Sequence, residues 1–385
     1  MLLSDHTLET LRLRLAEEGF RPSHAARILR AYYAHGGEVD WAALRLPRAL
    51  AARLAGDGDA SGGRMGLGMP AASGVAAAVA GEDGSRAAAA VRRVAADGTT
   101  KLLLRLGDGR AVETVMMPDD RADRAAGCVS SQVGCAMGCD FCATTKSGFE
   151  RNLTAGEIVE QFLALRREAR AVGRRIQTLV FMGMGEPMLN LEAVLAAVRR
   201  IAANEVGGLG WRQVTISTVG IVPGIDALAA AGLNVHLAIS LHAPDDATRA
   251  RLLPMGRRFG VEEILAAADR YQARTGRPVT IQYCLLRGVN DAPEQADQLA
   301  ALLKGRRMHV NLLRYNPTGL SLRGIAYAPA SETGTEAFLA PLRAGGVVAH
   351  VRRPRGREIE AACGQLRERA GRDGVVTTDH RPTIS

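Results

Sequence analysis

Six short apolar runs, at residues 178–182, 214–218, 235–241, 279–285, 309–313 and 347–351, alternate with stretches of helical periodicity. This alternation constrains the fold more than any other feature of the chain. Parallel strands cannot be joined by a tight turn and need a crossover, usually helical, so repetition of strand and helix predicts a parallel sheet covered by helices. The helices are expected to begin near Thr154, Leu191, Pro223, Asp245, Val261, Pro293 and Ser331, and Thr154-Ala-Gly-Glu157 reads as a capping box that fixes the first of them. Six such strands predict an α/β chain built on a partial (β/α)6 barrel. In that architecture the functional site gathers at the carboxyl ends of the strands.

A chain of 385 residues has room for one large domain and a smaller one. Residues 1–54 are expected to be the smaller one, a helical accessory domain, because Leu8, Leu11 and Leu15, then Ala26, Leu29 and Tyr33, recur at helical spacing. Its Arg12, Arg14, Arg21, Arg27 and Arg30 read equally well as a solvated face or as a clamp on RNA. Residues 55–89 are rich in Gly and Ala and read as a flexible insertion. Strand runs at 91–94, 101–106 and 111–117, with turns at Asp97-Gly98 and Gly107-Asp108-Gly109, predict a β-meander over 90–127. The barrel core is expected over 128–363 and a tail over 364–385.

A hydrophobic share of 47% with only 4% aromatics implies a core of Ala, Leu and Val. The net charge of +9 and pI near 9.7 favour a polyanionic partner, since Arg and Lys bind phosphates by counterion release. The Arg-rich segments 166–175, 257–258 and 352–357 are candidates for tracking phosphates, and each reads equally as a solvated face. Lys occurs only at 101, 146 and 304, an Arg bias that also fits a G+C-rich genome. The amino terminus lacks the basic-then-apolar pattern of a signal peptide and no apolar window is long enough to span a membrane, so a cytoplasmic monomer is expected.

Three of the six cysteines lie close together as Cys135-Ala-Met-Gly-Cys139-Asp-Phe-Cys142. Three thiolates can hold three irons of a [4Fe-4S] cluster and leave the fourth iron open to a ligand from elsewhere, whereas an electron-transfer cluster normally has four cysteines. A zinc site completed by a histidine is the alternative. Either fits a reducing compartment better than a disulfide framework does.

Gly183-Met184-Gly185-Glu186-Pro187 follows the apolar run 179–182 directly, so backbone can approach a ligand closely and Glu186 can accept from an ammonium group. Polar residues end three further strands: Ser217, then Ser240-Leu241-His242, and Asn316 in Tyr315-Asn316-Pro317. Helix capping would explain each singly, and a shared ligand explains their repeated placement at one rim. Cys363, before Gly364 and just past the last strand, could be a reactive thiol on a loop, although a lone cysteine is usually a small buried hydrophobe. Cys284, in mid-strand, reads as core, and Glu113 from sequence alone reads as an exposed strand carboxylate.

Cys128-Val-Ser-Ser-Gln-Val-Gly-Cys135, the cysteine triplet, Gly148-Phe-Glu-Arg-Asn152, Phe181-Met-Gly-Met-Gly-Glu-Pro187, Ile239-Ser-Leu-His-Ala-Pro244 and Ala361-Ala-Cys-Gly-Gln-Leu366 closely resemble motifs of the RlmN/Cfr family of radical S-adenosylmethionine (SAM) RNA methyltransferases. The resemblance covers roughly residues 90–370. It implies a radical SAM barrel with one [4Fe-4S] cluster on Cys135, Cys139 and Cys142, and SAM bound through Gly185, Glu186, Ser217, Ser240, Leu241, His242 and Asn316. It also implies Cys363 as the carrier of a methyl group, Cys128 as its transient disulfide partner and Glu113 as general base. The substrates implied are 23S rRNA and tRNA, with methylation at adenine C2, and the electron donor a low-potential carrier such as flavodoxin. Methylation at C8 is the alternative within the family, and a zinc-stabilised RNA-binding factor the alternative outside it.

Overall fold

A computed structural model describes residues 3–59, 87–353 and 355–366. Most of the expected insertion at 55–89, and the expected tail beyond 366, therefore lie outside the described residues. The amino-terminal part is helical: α1 (Leu8–Glu17), α2 (His24–Ala34) and α3 (Arg48–Asp59). Thr7 opens α1 with a capping box. The buried side of α2 runs through Ala25, Ile28, Leu29 and Tyr33, so Ala25 rather than the expected Ala26 faces the core.

There follow β1 (Ala87–Val94), β2 (Thr100–Leu106), β3 (Ala111–Pro118) and β4 (Arg124–Cys128), each antiparallel to the one before it. A short ribbon, β5 (Gln132–Gly134) and β6 (Phe149–Asn152), brackets the cysteine loop. The chain then alternates: α4 (Ala155–Ala171), β7 (Arg175–Phe181), α5 (Leu191–Ala202), β8 (Val214–Thr218), α6 (Val222–Ala230), β9 (His236–Ser240), α7 (Asp246–Leu252), α8 (Val261–Thr275), β10 (Val279–Leu285), α9 (Pro293–Leu303), β11 (Met308–Arg314), α10 (Glu332–Ala344) and β12 (Val348–Arg352). All six expected strands are present as β7 to β12, and the helices start within a residue of their expected positions.

One ten-stranded sheet results, in the order β1-β2-β3-β4-β7-β8-β9-β10-β11-β12. It is parallel from β4 onward, so β4, which precedes the cysteine loop, adds a seventh parallel strand. The meander continues the barrel wall and is the antiparallel edge of the same sheet. Burial explains the strand sequences: Leu237, Ala238 and Ile239 are fully enclosed, the mark of a parallel strand covered on both faces. The first crossover helix, α4, buries Ile158, Val159, Phe162, Leu163 and Leu165, each contributing about 1.5–3 kcal/mol relative to exposure. A side chain at Gly127 would meet Leu165 and Leu179 at 2.8 and 3.1 Å, which is why β4 can lie so close to α4.

The arginines at 166–175 do not form a phosphate track. Arg166 donates to the carbonyls of Tyr33 (2.8 Å) and Gly207 (2.6 Å) and lies over the Phe162 ring. Arg167 donates to the Gly36 carbonyl, Arg170 contacts His35 Nδ1 at 2.9 Å, and Arg174 donates to the carbonyls of Asp119, Arg121 and Arg124. Tyr32 adds a 2.7 Å bond to Glu160. Arg174 and Arg175 tie the end of this stretch to the loop before β4, while Arg166, Arg167 and Arg170 form the seam that docks the helical part onto α4. Gly36 is required there: its φ is +65°, and a Cβ would come within 2.7 Å of Arg167 Cγ.

Candidate active site

The carboxyl ends of β7 to β11, the cysteine loop and residues 363–364 surround a cavity of about 170 Å³. Cys135, Cys139, Cys142, Gly185, Glu186, Ser217, Ser240, His242, Asn316 and Cys363 all line it. Residues scattered over 229 positions of sequence thus meet in one chamber, as the strand topology requires.

The cysteine loop is pinned at several points. Cys135 N–H donates to the Gly148 carbonyl at 2.7 Å, and a Cβ on Gly134 (φ +73°) would strike that same oxygen. Asp140 N–H donates to the Leu252 carbonyl at 2.9 Å, while the Asp140 carboxylate accepts from Tyr327 Oη (2.6 Å) and the Arg323 N–H (3.2 Å). Burial pushes the Cys135 thiol up to about 12 and raises Cys139 as well, with Cys142 and Cys135 adding to the effect and Arg249 opposing it. Thiols held protonated in this way give up the proton when a metal replaces it. Among the described residues no group of three His, Cys, Asp or Glu side chains converges to hold one metal ion. Three thiols that all line one chamber suit a cluster, in which each thiolate takes a separate iron.

Glu186 is buried and tied both to the turn it begins and to the end of β8. Its Oε1 accepts from Met188 N–H at 3.0 Å and its Oε2 from Val219 N–H at 2.8 Å, and the Thr218 hydroxyl also hydrogen-bonds it. Burial nevertheless lifts the carboxyl to about 7, so an approaching ammonium group would favour the ionised form. Gly185 has φ +97°, and a Cβ there would lie 2.5 Å from Gln132 Cβ. Only glycine brings this turn against the chamber.

His242 sits at φ +60°, unusual for a side chain of its size. Its Nδ1 accepts from Cys284 N–H at 2.9 Å, which places the proton on Nε2, and its ring meets Phe141 edge-on at 5.1 Å. Burial, reinforced by Arg249, depresses it to about 3, so it stays neutral. Asn290, which no sequence signal singled out, donates to the carbonyls of His242 and Cys284 at 2.7 Å and so fixes the ends of β9 and β10 together. Leu241 is fully buried and lies outside the chamber lining. Asn316 Oδ1 accepts from Arg357 Nε at 2.9 Å, which leaves its amide N–H groups for the chamber.

Cys363 presents its surface to the chamber, yet protein surrounds it closely enough that burial raises its thiol. Cys128 ends β4, fully enclosed and pushed up to about 12 by burial, with the Cys363 charge adding and a hydrogen bond from the Met182 backbone opposing. Glu113 is not an exposed strand carboxylate: its side chain is 6% accessible and pairs with Lys101 at 2.9 Å. Cys284 is not core either. It is half-buried and lines the chamber, within electrostatic reach of Cys363 and Cys142. Arg249 is wholly buried, donates to the carbonyls of Phe259 and Val219, and its Nε has no hydrogen-bond partner. Its Cys139 neighbour could not have been inferred from sequence spacing.

The radical SAM superfamily model matches residues 129–300. A probable dual-specificity RNA methyltransferase RlmN 1 of Opitutus terrae is 63% identical over 96% of this chain and 97% of its own length. A probable dual-specificity RNA methyltransferase RlmN of Thermosynechococcus vestitus is 48% identical over 72% of this chain and 79% of its own. The crystal structure of a radical SAM methyltransferase from Sphaerobacter thermophilus superposes with a TM-score of 0.81 at 41% identity, covering 95% of this chain and 99% of that one. With such coverage and with the donor set in place, the cofactors are a [4Fe-4S] cluster and SAM. The chain belongs to the RlmN family of radical SAM RNA methyltransferases.

Proposed function

We propose that the chain methylates adenine C2 in 23S rRNA and in tRNA, carrying the methyl group on Cys363 and consuming two SAM per methyl transferred. The observation that supports this most directly is the meeting of Cys363 with Cys142 in one chamber, with Cys128 close enough for the Cys363 charge to raise its thiol. The dual specificity in the relatives' names supports action on two kinds of RNA. Cys135, Cys139 and Cys142 hold the cluster, and Gly185, Glu186, Ser217, Ser240, His242 and Asn316 hold SAM, while Leu241, expected among them, stays outside the chamber.

Carbon 2 of adenine is too poor a nucleophile to displace methyl from a sulfonium. When bound, the cluster and SAM together supply a carbon radical able to remove a hydrogen atom from a methyl thioether. Cys363 carries that methyl, and its S–CH2 carbon bonds to adenine C2. Glu113 takes the C2 proton as the adduct gives up one electron, for which the oxidised cluster held by Cys135, Cys139 and Cys142 would be the acceptor. Cys128 then attacks the Cys363 sulfur, and the released methylene carbon takes a proton to become the product methyl, leaving a Cys128–Cys363 disulfide. The adenine must leave its stack to reach the chamber. Exposed Arg257, Arg258, Arg352 and Arg353 remain to meet phosphates. A low-potential carrier such as flavodoxin supplies electrons, and the enzyme works as a cytoplasmic monomer.

The test is mass spectrometry of nucleosides from 23S rRNA and tRNA treated anaerobically with reconstituted enzyme, reductant and SAM. The expected product is 2-methyladenosine. Recovery of 8-methyladenosine would assign the C8 reaction, toward which Leu312-Leu-Arg314-Tyr-Asn-Pro-Thr318 leans.

A further inference from the structure

Lys101, one of three lysines in the chain, lies in β2 with its side chain 6% accessible. Leu102, Leu103 and Leu104 beside it are buried and apolar. An ammonium in such a place is costly unless it is both paired and hydrogen-bonded. Its Nζ lies 2.9 Å from Glu113 Oε1 on the adjacent strand, and it donates to the Glu360 carbonyl at 3.2 Å. Glu360 stands three residues before Cys363. One ammonium therefore touches both the carboxylate read as the base and the backbone of the segment that carries the methyl-bearing thiol.

The rest of that segment hangs from the same part of the sheet. Gly356 N–H donates to Asp97 Oδ2 at 3.2 Å, and Arg355 reaches the Pro118 carbonyl and Asp120. At its far end the Leu366 carbonyl accepts from Thr144 Oγ1 at 2.6 Å, beside the cysteine loop. We propose that Lys101 is the positioning residue of the proton-transfer step, holding the Glu113 carboxylate and the Cys363 segment in one frame so that the base stays in register with the carbon on the Cys363 sulfur. The proposal rests on the reading of Glu113 as base and Cys363 as methyl carrier. Burial and Glu360 disfavour charge on Glu113, and Lys101 and Arg93 favour it. Without the ammonium, Arg93 is left to oppose burial and Glu360, so the balance at Glu113 moves toward the protonated form.

The experiment compares Lys101→Gln, Lys101→Met, Lys101→Arg and Glu113→Gln as reconstituted holoenzymes. Two neutral replacements are made so that one misfolded protein does not decide the matter, and circular dichroism checks each. Intact-protein mass reports methyl on Cys363, and initial rates of RNA methylation are followed from about pH 6 to about pH 9.5, a span that brackets a displaced carboxylate. All four variants are expected to carry the methyl group. The neutral Lys101 variants are expected to lose about 100-fold in rate at neutral pH and to regain about tenfold per pH unit, while Lys101→Arg keeps the wild-type acid limb and Glu113→Gln stays low throughout. A wild-type pH profile in the neutral variants, or a pH-independent loss shared by Lys101→Arg, would overturn the proposal. Absence of methyl on Cys363 in the wild-type enzyme would overturn the underlying reading, and the proposal with it.

Discussion

The two sides of the chamber are held by different means. On the cofactor side, Glu186, His242 and Asn290 are locked by hydrogen bonds to backbone groups at strand ends, and the side chains are buried. On the thiol side, Cys363 rides on a segment outside the sheet that is tied down by scattered contacts: Lys101 to the Glu360 carbonyl, its own Arg357 to Asn316, Thr144 to the Leu366 carbonyl, Asp97 to the Gly356 N–H and, beside the thiol, the Ala143 N–H to the Gly364 carbonyl. A site built on strand ends keeps fixed geometry, while a loop held mostly by scattered side-chain tethers can move and return. The division fits the route proposed above, in which one side grips a cofactor and the other carries a carbon, bonds it to a base and then trades it for a disulfide.

The largest expected effect separates the sides outright. Cys363→Ala should retain the cluster's iron, sulfide and absorbance yet form less than about a thousandth of the methylated nucleoside, the scale set by loss of a covalent nucleophile. Undiminished methylation by that variant would remove the thiol side from the chemistry. Next, Glu186→Ala orphans the N–H groups of Met188 and Val219, so it should cost about 2–4 kcal/mol in denaturant unfolding and weaken SAM in calorimetry. Glu186→Gln, which keeps an acceptor, should cost less. Arg357→Ala should show the reverse balance: SAM binding weakened about tenfold through a released Asn316, with stability changed by no more than about 1 kcal/mol. A stability loss as large as that of Glu186→Ala would erase the distinction between the two sides.

A smaller effect tests the cofactor side by pH. His242 is depressed to about 3 by burial in the folded chain, so below its ordinary 6.5 the unfolded chain binds a proton that the folded one does not. Stability therefore falls with pH from about 6.5 downward, by about 2 kcal/mol at pH 5, and ceases to fall only near the folded value. Unfolding curves at neutral pH and at pH 5 check this, and His242→Gln should flatten the difference.

Much of the barrel is legible in the sequence, because β7 to β12 are short runs rich in Val, Ile and Leu set between helical stretches, and the Thr154 to Glu157 capping box is present as read. β4 escapes such reading, since Arg-Ala-Ala-Gly-Cys has no strand pattern and becomes a strand by pairing with β3 and β7. All the residues named for cluster and cofactor except Leu241 line one chamber, because the cysteine loop and the strand ends that carry the rest are gathered there by the topology. Arg166 misleads for the opposite reason: a guanidinium facing water and one facing a carbonyl 133 residues away look alike in sequence. Cys284 looks like core because mid-strand position does not say which face meets a chamber. Lys101 was visible only as a rare lysine, and its partners come from register and from a segment 259 residues distant.

The most direct measurement of the thioether route uses SAM with a trideuterated methyl group and weighs the methylated adenosine. Passage through Cys363 removes one deuterium before the carbon meets adenine and returns a proton from solvent at release, so the product methyl should carry two deuteriums. A product retaining all three would mean direct transfer from SAM and would contradict the roles given to Cys363 and Cys128.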